Sequence, residues 1–193
     1  MKISAIFLSL LFVPVCAAAA DSSPAASNAP AEMAKLSPRI GTWQVTIRSM
    51  PGAGSPQGGL DKGVATIKQG PGGFSIVQDF WSRGSSGHQV GQSYTWWDTP
   101  TKSYKSVWCD NMQGCTEFTT AVDGASWTTE FDGVADGKKI RTTVHATMSP
   151  DHNCIHEEAA SSSDGGPPQT VTVSEYQRVL AGGAQEKQPS CKK

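Results

Sequence analysis

Between Trp43 and Leu180 the sequence is a succession of short runs, 43–48, 63–68, 74–83, 89–97, 104–109, 115–122, 127–131, 139–148, 154–161 and 170–180, each ended by Gly, Pro, Asp or Ser. Within most of them apolar and polar residues alternate, and a period of two places every second side chain on the same face, as in a half-buried strand. Asp123-Gly124, Asp132-Gly133 and Asp136-Gly137 supply hairpin or loop dipeptides between these runs. No long stretch carries a 3.6-residue apolar period; the one helical candidate is 31–36, which Pro38 stops. Connections this short pair each strand antiparallel with the next. A meander of about ten strands curls, and closing it removes both unpaired edges. The expectation is an all-β fold: an up-and-down antiparallel β-barrel of about ten strands with a short N-terminal helical turn. A β-sandwich, the alternative, would need long Greek-key crossovers, and the connections are short.

The ends of the chain read differently. Residues 1–20 combine Lys2, an apolar stretch from Ile3 to Val15 and an Ala18-Ala19-Ala20 cleavage site, the make-up of a signal peptide. The stretch is short and broken by Pro14, a poor membrane span. An uncleaved anchor is one other reading, and lipidation at Cys16 a second, although Val15 stands where a lipobox wants a small residue. Residues 21–35 form a flexible linker and the start of the short helix, 36–180 the barrel, and 181–193 a polar, disordered tail. The expected location is periplasmic or secreted. Charge is balanced at 16 Lys+Arg against 17 Asp+Glu; losing Lys2 leaves 15 − 17 = −2. So weak a field argues against a nucleic-acid partner and against polybasic membrane binding.

Four cysteines follow the leader: Cys109, Cys115, Cys154 and Cys191. An oxidising compartment favours disulfides, and four cysteines allow three pairings. Cys109 and Cys115 flank a five-residue turn between two strand-like runs. Opposed residues of an antiparallel pair lie about 4.5–5.5 Å apart at Cα, within bridging range. Cys109–Cys115 is therefore the favoured pair, leaving Cys154 to bond Cys191 or Cys191 to stay free in the tail.

The first strand opens Ile40-Gly41-Thr42-Trp43 after a Pro-broken helical turn, and the last ends Tyr176-Gln177-Arg178-Val179. This combination resembles the lipocalin and fatty-acid-binding-protein superfamily of calycin-type barrels. The middle of the chain, with Gly73-Phe74, Gly91, Tyr94, Trp97-Asp98, Lys102, Tyr104 and Trp108 to Asp110, resembles the bacterial domain of unknown function family 1579 over about 36–180. Cys109 and Cys115 depart from that family's pattern. The resemblance implies a lipocalin-like barrel in which Gly41 and Trp43 are structural, Trp43 packing at the closed end with Arg178 against it. It implies no activity.

Aromatic residues recur on successive strands: Trp81, Tyr94, Trp96, Trp97, Trp108 and Trp127. Alternate residues of a closed barrel face inward, so Tyr94 and Trp96 share one face and Trp97 takes the other. Tyr94, Trp96, Trp108 and Trp127 are the expected cavity lining, with Tyr176 and Arg178, two apart on one strand face, as polar handles able to hold a carboxylate. The rings could equally fill the interior. His152, Cys154, His156 and Glu158 alternate on one face and include zinc-ligand types, but also read as a solvated hairpin. No G-x-S-x-G, P-loop or H-E-x-x-H is present. No catalytic residue, cofactor or metal is therefore assigned. The expected function is binding of a small apolar molecule in the barrel. The alternatives are a metal- or carboxylate-dependent enzyme of the cell envelope, built on His152, His156 and Glu158 or an acid pair at the mouth, and a ligand-free interaction domain.

Overall fold

The structure, a computed structural model, describes residues 29–52, 56–135, 137–180 and 191. The leader, the linker up to residue 28 and the rest of the tail lie outside the described residues. A 3-10 helix (Ala31–Arg39) leads into ten strands: β1 (Gly41–Ser49), β2 (Gly59–Gln69), β3 (Ser75–Gly84), β4 (Gly87–Asp98), β5 (Ser103–Asp110), β6 (Gly114–Asp123), β7 (Ser126–Ala135), β8 (Lys138–Met148), β9 (Cys154–Ser163) and β10 (Gln169–Arg178). Each pairs antiparallel with its neighbours in sequence, and β1 pairs with both β2 and β10, closing the barrel. The fold is a closed up-and-down antiparallel barrel, and among the described residues no crossover makes a sandwich.

Alternation decides which residues face inward. On β1, Trp43 and Val45 are buried while Gln44 is exposed; on β2, Ala65 and Ile67 are buried between partly or fully exposed neighbours. The register brings Trp43 opposite both Ala65 and Arg178. β10 carries one irregularity, between Thr170 and Thr172, which leaves Val171 on the outer surface. Bulges of this kind accommodate the bending of a strand in a closed sheet.

The 3-10 helix plugs one end of the barrel. Its apolar side chains Met33 and Leu36 are buried in the main core. It runs through Pro38 to Arg39, beyond the 31–36 expected from sequence. Tertiary partners hold that extra turn. Trp43 Nε1 donates to Arg39 O at 2.9 Å, Arg178 donates to the carbonyls of Pro38 and Ile40, and Tyr104 Oη donates to Glu32 O at 2.7 Å. Helix-end carbonyls need such partners when buried, and here Arg178 and Tyr104 supply theirs from far along the chain while Trp43 supplies its own from the adjoining strand.

Disulfides bond Cys109 to Cys115 across the β5–β6 hairpin and Cys154 to Cys191. The first sits at the end opposite the plug; the second ties the tail to the start of β9. Both fit an exported protein. Among the described residues no helix is long and apolar enough to cross a membrane.

Candidate functional site: the barrel cavity

The core residues cluster toward the plug, and beyond them the interior holds a cavity of about 300 Å³. That is the low end of the size range of small-molecule pockets, roughly 300–1,000 Å³. Its wall divides into two chemistries. Phe80, Trp108, Phe118 and Phe131 form the aromatic part. Phe80 meets Trp108 edge-on at 5.7 Å between centroids, and Phe118 lies 6.2 Å from Phe131. Toward the plug stand Arg39, Glu157 and Tyr176.

The aromatic part is braced. Trp108 Nε1 and Gln89 Nε2 both donate to Asp110 Oδ2 at 2.8 Å, while the amides of Met112 and Gln113 donate to Oδ1. Burial works against the charge of Asp110, but these hydrogen bonds outweigh it and hold the carboxyl below its ordinary range. Gly91 leaves room for the Trp108 indole: a Cβ there would stand 2.5 Å from its Cζ2. Two hydroxyl pairs on the wall satisfy each other, Thr95 with Ser106 at 2.8 Å and Thr120 with Thr129 at 2.7 Å.

The polar end is not satisfied in this way. The guanidinium of Arg39 lies over the Trp127 ring, 4.9 Å from its centroid. Its buried Nε has no hydrogen-bond partner. Among the described residues Arg39 forms no ion pair, and neither the Glu157 carboxyl nor the Tyr176 hydroxyl has a hydrogen bond within the protein. Burial lowers the pKa of Arg39, opposed by the field of Glu157 and Tyr176. Burial likewise pushes the Glu157 carboxyl up, against the opposing pull of Arg39 and His156. It raises the Tyr176 hydroxyl well above its usual value as well.

A pH dependence follows. A carboxyl whose folded pKa is raised binds its proton more tightly folded than unfolded. The contribution of Glu157 is therefore whole below its ordinary value of 4.5 and is lost as pH rises through the folded pKa. Urea unfolding of Glu157→Gln beside the parent, from about pH 4 to about pH 8, is expected to show the variant gaining relative stability as pH rises. A pH-independent difference would contradict a buried, proton-holding Glu157.

The structure sorts the sequence candidates. Trp108, Trp127 and Tyr176 line the cavity. Tyr94 and Trp96 do not, which corrects the expectation: β4 turns Ser93, Thr95 and Trp97 inward, and Trp97 packs on Tyr104 at 5.0 Å. Tyr94 is 43% exposed on the outer face, where Trp81 of β3 and Val90 of β4 itself are also exposed. Aromatic residues occupy both faces of β4, so its pattern could not choose between them. Arg178 is also absent from the cavity wall; it lies over the Trp43 ring at 4.1 Å and is occupied by the plug. Gly41 has φ 145°, and a Cβ there would fall 2.4 Å from Arg178 Nη1.

His152, Cys154, His156 and Glu158 do not converge. Cys154 is in its disulfide, His156 Nδ1 lies 2.6 Å from Glu175 Oε1, and Glu158 accepts from Thr170 at 2.6 Å. Among the described residues no three His, Cys, Asp or Glu side chains come together as a metal site. Sequence reasoning missed Arg39 and Glu157. Ile155 was the available signal for Glu157, since an apolar residue fixes the inward parity of β9 and Glu157 shares it. Arg39 carried no signal, because its position follows from how the plug docks.

No protein-family model matches the chain, and no curated protein does. The closer resemblance to domain of unknown function family 1579 therefore rests on the strand motifs alone. Solved structures do match. The crystal structure of Rv2717c from M. tuberculosis aligns with TM-score 0.54 and 14% identity, over 79% of this chain and all (100%) of that one. The S-type phycobiliprotein lyase CPES from Guillardia theta aligns with TM-score 0.50 and 10% identity, over 76% of this chain and 92% of that one. At these identities the likeness is one of fold, a calycin-type barrel.

Proposed function

We propose that the chain is an exported binding protein that holds one small molecule inside its barrel. The observation that carries this reading is the cavity: the interior is left open although the strands supply enough large side chains to line it. Its mixed wall favours an amphipathic ligand over the wholly apolar one expected from sequence. A wall of aromatic surface with a few convergent polar groups is the usual composition of a small-molecule site. Cavities lined only by core side chains tend to close or cost stability, so an open one with charged groups in it fits a site kept for an occupant. The narrower relationship to domain of unknown function family 1579 is compatible with this role and adds no chemistry to it.

Filling the cavity tests the reading. Val144 lines the wall on β8 and is partly buried. Val144→Phe is expected to abolish the tryptophan-fluorescence response to anilinonaphthalene sulfonate while melting near the parent temperature. Native mass spectrometry of parent protein taken from its own host is expected to show a retained small molecule that the variant lacks. Undiminished probe binding by a folded Val144→Phe protein would place binding outside the barrel and end the proposal.

A further inference from the structure

Resting on the binding reading above, we infer that the ligand carries a single carboxylate, or an equivalent monoanion, seated at the plug end between Arg39 and Tyr176, with its apolar body lying against Phe80, Trp108, Phe118 and Phe131. The inference starts from an imbalance. A guanidinium presents five N–H donors and cannot shed its charge at physiological pH. Such a group is seldom buried without a carboxylate or carbonyl to receive those donors. Arg39 has the cation–π contact with Trp127 and the nearby fields of Glu157 and Tyr176, but its Nε is buried and unpartnered, and no ion pair forms among the described residues. By contrast, Arg178 at the same end of the barrel spends three of its nitrogens on the carbonyls of His152, Ile40 and Pro38. The plug end of the barrel thus holds two arginines, Arg178 of β10 fully used by the fold and Arg39 of the plug left facing the cavity.

Its neighbours favour an anion of one charge. Among the described residues Glu157 is the only carboxyl on the cavity wall, and burial biases it toward its neutral, proton-bearing form. In that form Glu157 is a hydrogen-bond donor and brings no counter-charge to Arg39. The Tyr176 hydroxyl, held protonated by burial, is a second donor on the same side. The neighbours of Glu157 across β8 and β10 are Ala146 and Ser174, neither of which titrates. One fixed cation with two neutral donors matches a carboxylate, which takes a bidentate pair from arginine plus a hydroxyl. A dianion such as a phosphate monoester would bring a second charge for which the wall offers no second cation. The head-to-body direction follows from the wall: the charged groups stand at the plug, and the four aromatic rings stand beyond them among uncharged threonine, serine, glutamine and aliphatic side chains.

Matched probes with one tail and different heads separate this inference from the reading beneath it. Decanoate, decanol and decylamine are titrated into the full oxidised protein, read by calorimetry and tryptophan fluorescence at neutral pH. Decanoate is expected to bind at least about tenfold more tightly than decanol, as charge-assisted hydrogen bonds imply, and decylamine more weakly still. Arg39→Met, which keeps an unbranched apolar side chain and removes the guanidinium, is expected to erase the preference for decanoate while decanol binds as before. Tyr176→Phe is expected to lower decanoate affinity alone, and serves as the second variant should Arg39→Met not fold. Equal affinities for the acid and the alcohol, or a preference that survives Arg39→Met in a folded protein, overturn the anionic head and leave a binding barrel. Failure of all three probes to bind overturns the binding reading and this inference with it.

Discussion

Replacing Trp43 with alanine is expected to cost about 3–5 kcal/mol of folding stability, the range found for emptying a buried aromatic site. Trp43 is completely buried, at 0% exposure. It ties together three parts of the structure. Its ring lies under the Arg178 guanidinium, its Nε1 donates to Arg39 O in the plug, and its backbone pairs with Ala65 on β2. No small rearrangement fills the space, because the closing strands are fixed by their ladders on both sides. Native domains are stable by about 5–15 kcal/mol, so the loss is a large share of the total. Trp43→Phe separates two components: it keeps most of the apolar volume and loses the hydrogen bond, so about 1–2 kcal/mol is expected. Denaturant unfolding followed by circular dichroism gives both numbers. A cost below about 1 kcal/mol for the alanine variant would show that the plug end is not the anchor of this barrel.

The second large effect is expected from Arg178→Ala, at roughly 3 kcal/mol, since hydrogen bonds from a charged donor contribute about 1.5–3 kcal/mol each and cation–π contacts about 0.5–2. The sum is not taken at face value because the His152 carbonyl lies near solvent and rehydrates when the side chain is removed. The carbonyls of Pro38 and Ile40 are the ones that suffer. Arg178→Lys is expected to recover little. An ammonium is a single point donor and cannot reach carbonyls on two segments while lying flat on an indole. A double-mutant cycle with Trp43→Ala is expected to show a coupling above about 0.5 kcal/mol. A lysine variant as stable as the parent, or strict additivity in the cycle, would mean that the plug is held by Met33, Leu36 and Tyr104 instead. Loosening the plug also moves Arg39, so the same variant is expected to weaken decanoate binding.

Much of the architecture was legible in local pattern. Strand positions came from alternation, and the turns from Gly, Pro and Asp-Gly pairs, because both depend on a few adjacent residues. The β5–β6 disulfide was legible for the same reason, as two cysteines flanking a turn. The G-x-W opening and the arginine of the last strand were legible as a paired resemblance. Three of the six cavity candidates, Trp108, Trp127 and Tyr176, stand on the wall. On β4 the pattern fixed which residues share a face and left open which face turns inward, since Tyr94 and Trp96 compete with Thr95 and Trp97 on equal terms. That choice belongs to the ladder partners on β3 and β5, where Ile76 and Ser106 face inward opposite Thr95.

By itself, then, the sequence determined an all-β meander, its turns, one hairpin disulfide and the balance of charge, because each of these is set within a few residues of the chain. The open interior and the site were decided only by the tertiary structure. Closure, expected because it removes both edges of the meander, brings β1 to β10, more than a hundred residues away, in a register that no local pattern sets. Whether an interior is filled depends on the summed volume of inward side chains against the barrel's girth, a property of no single strand. The unpaired Arg39 is the clearest case: as a residue after a proline it is unremarkable, and it becomes a buried cation facing Glu157 and Tyr176 only once the plug docks and the barrel closes around it.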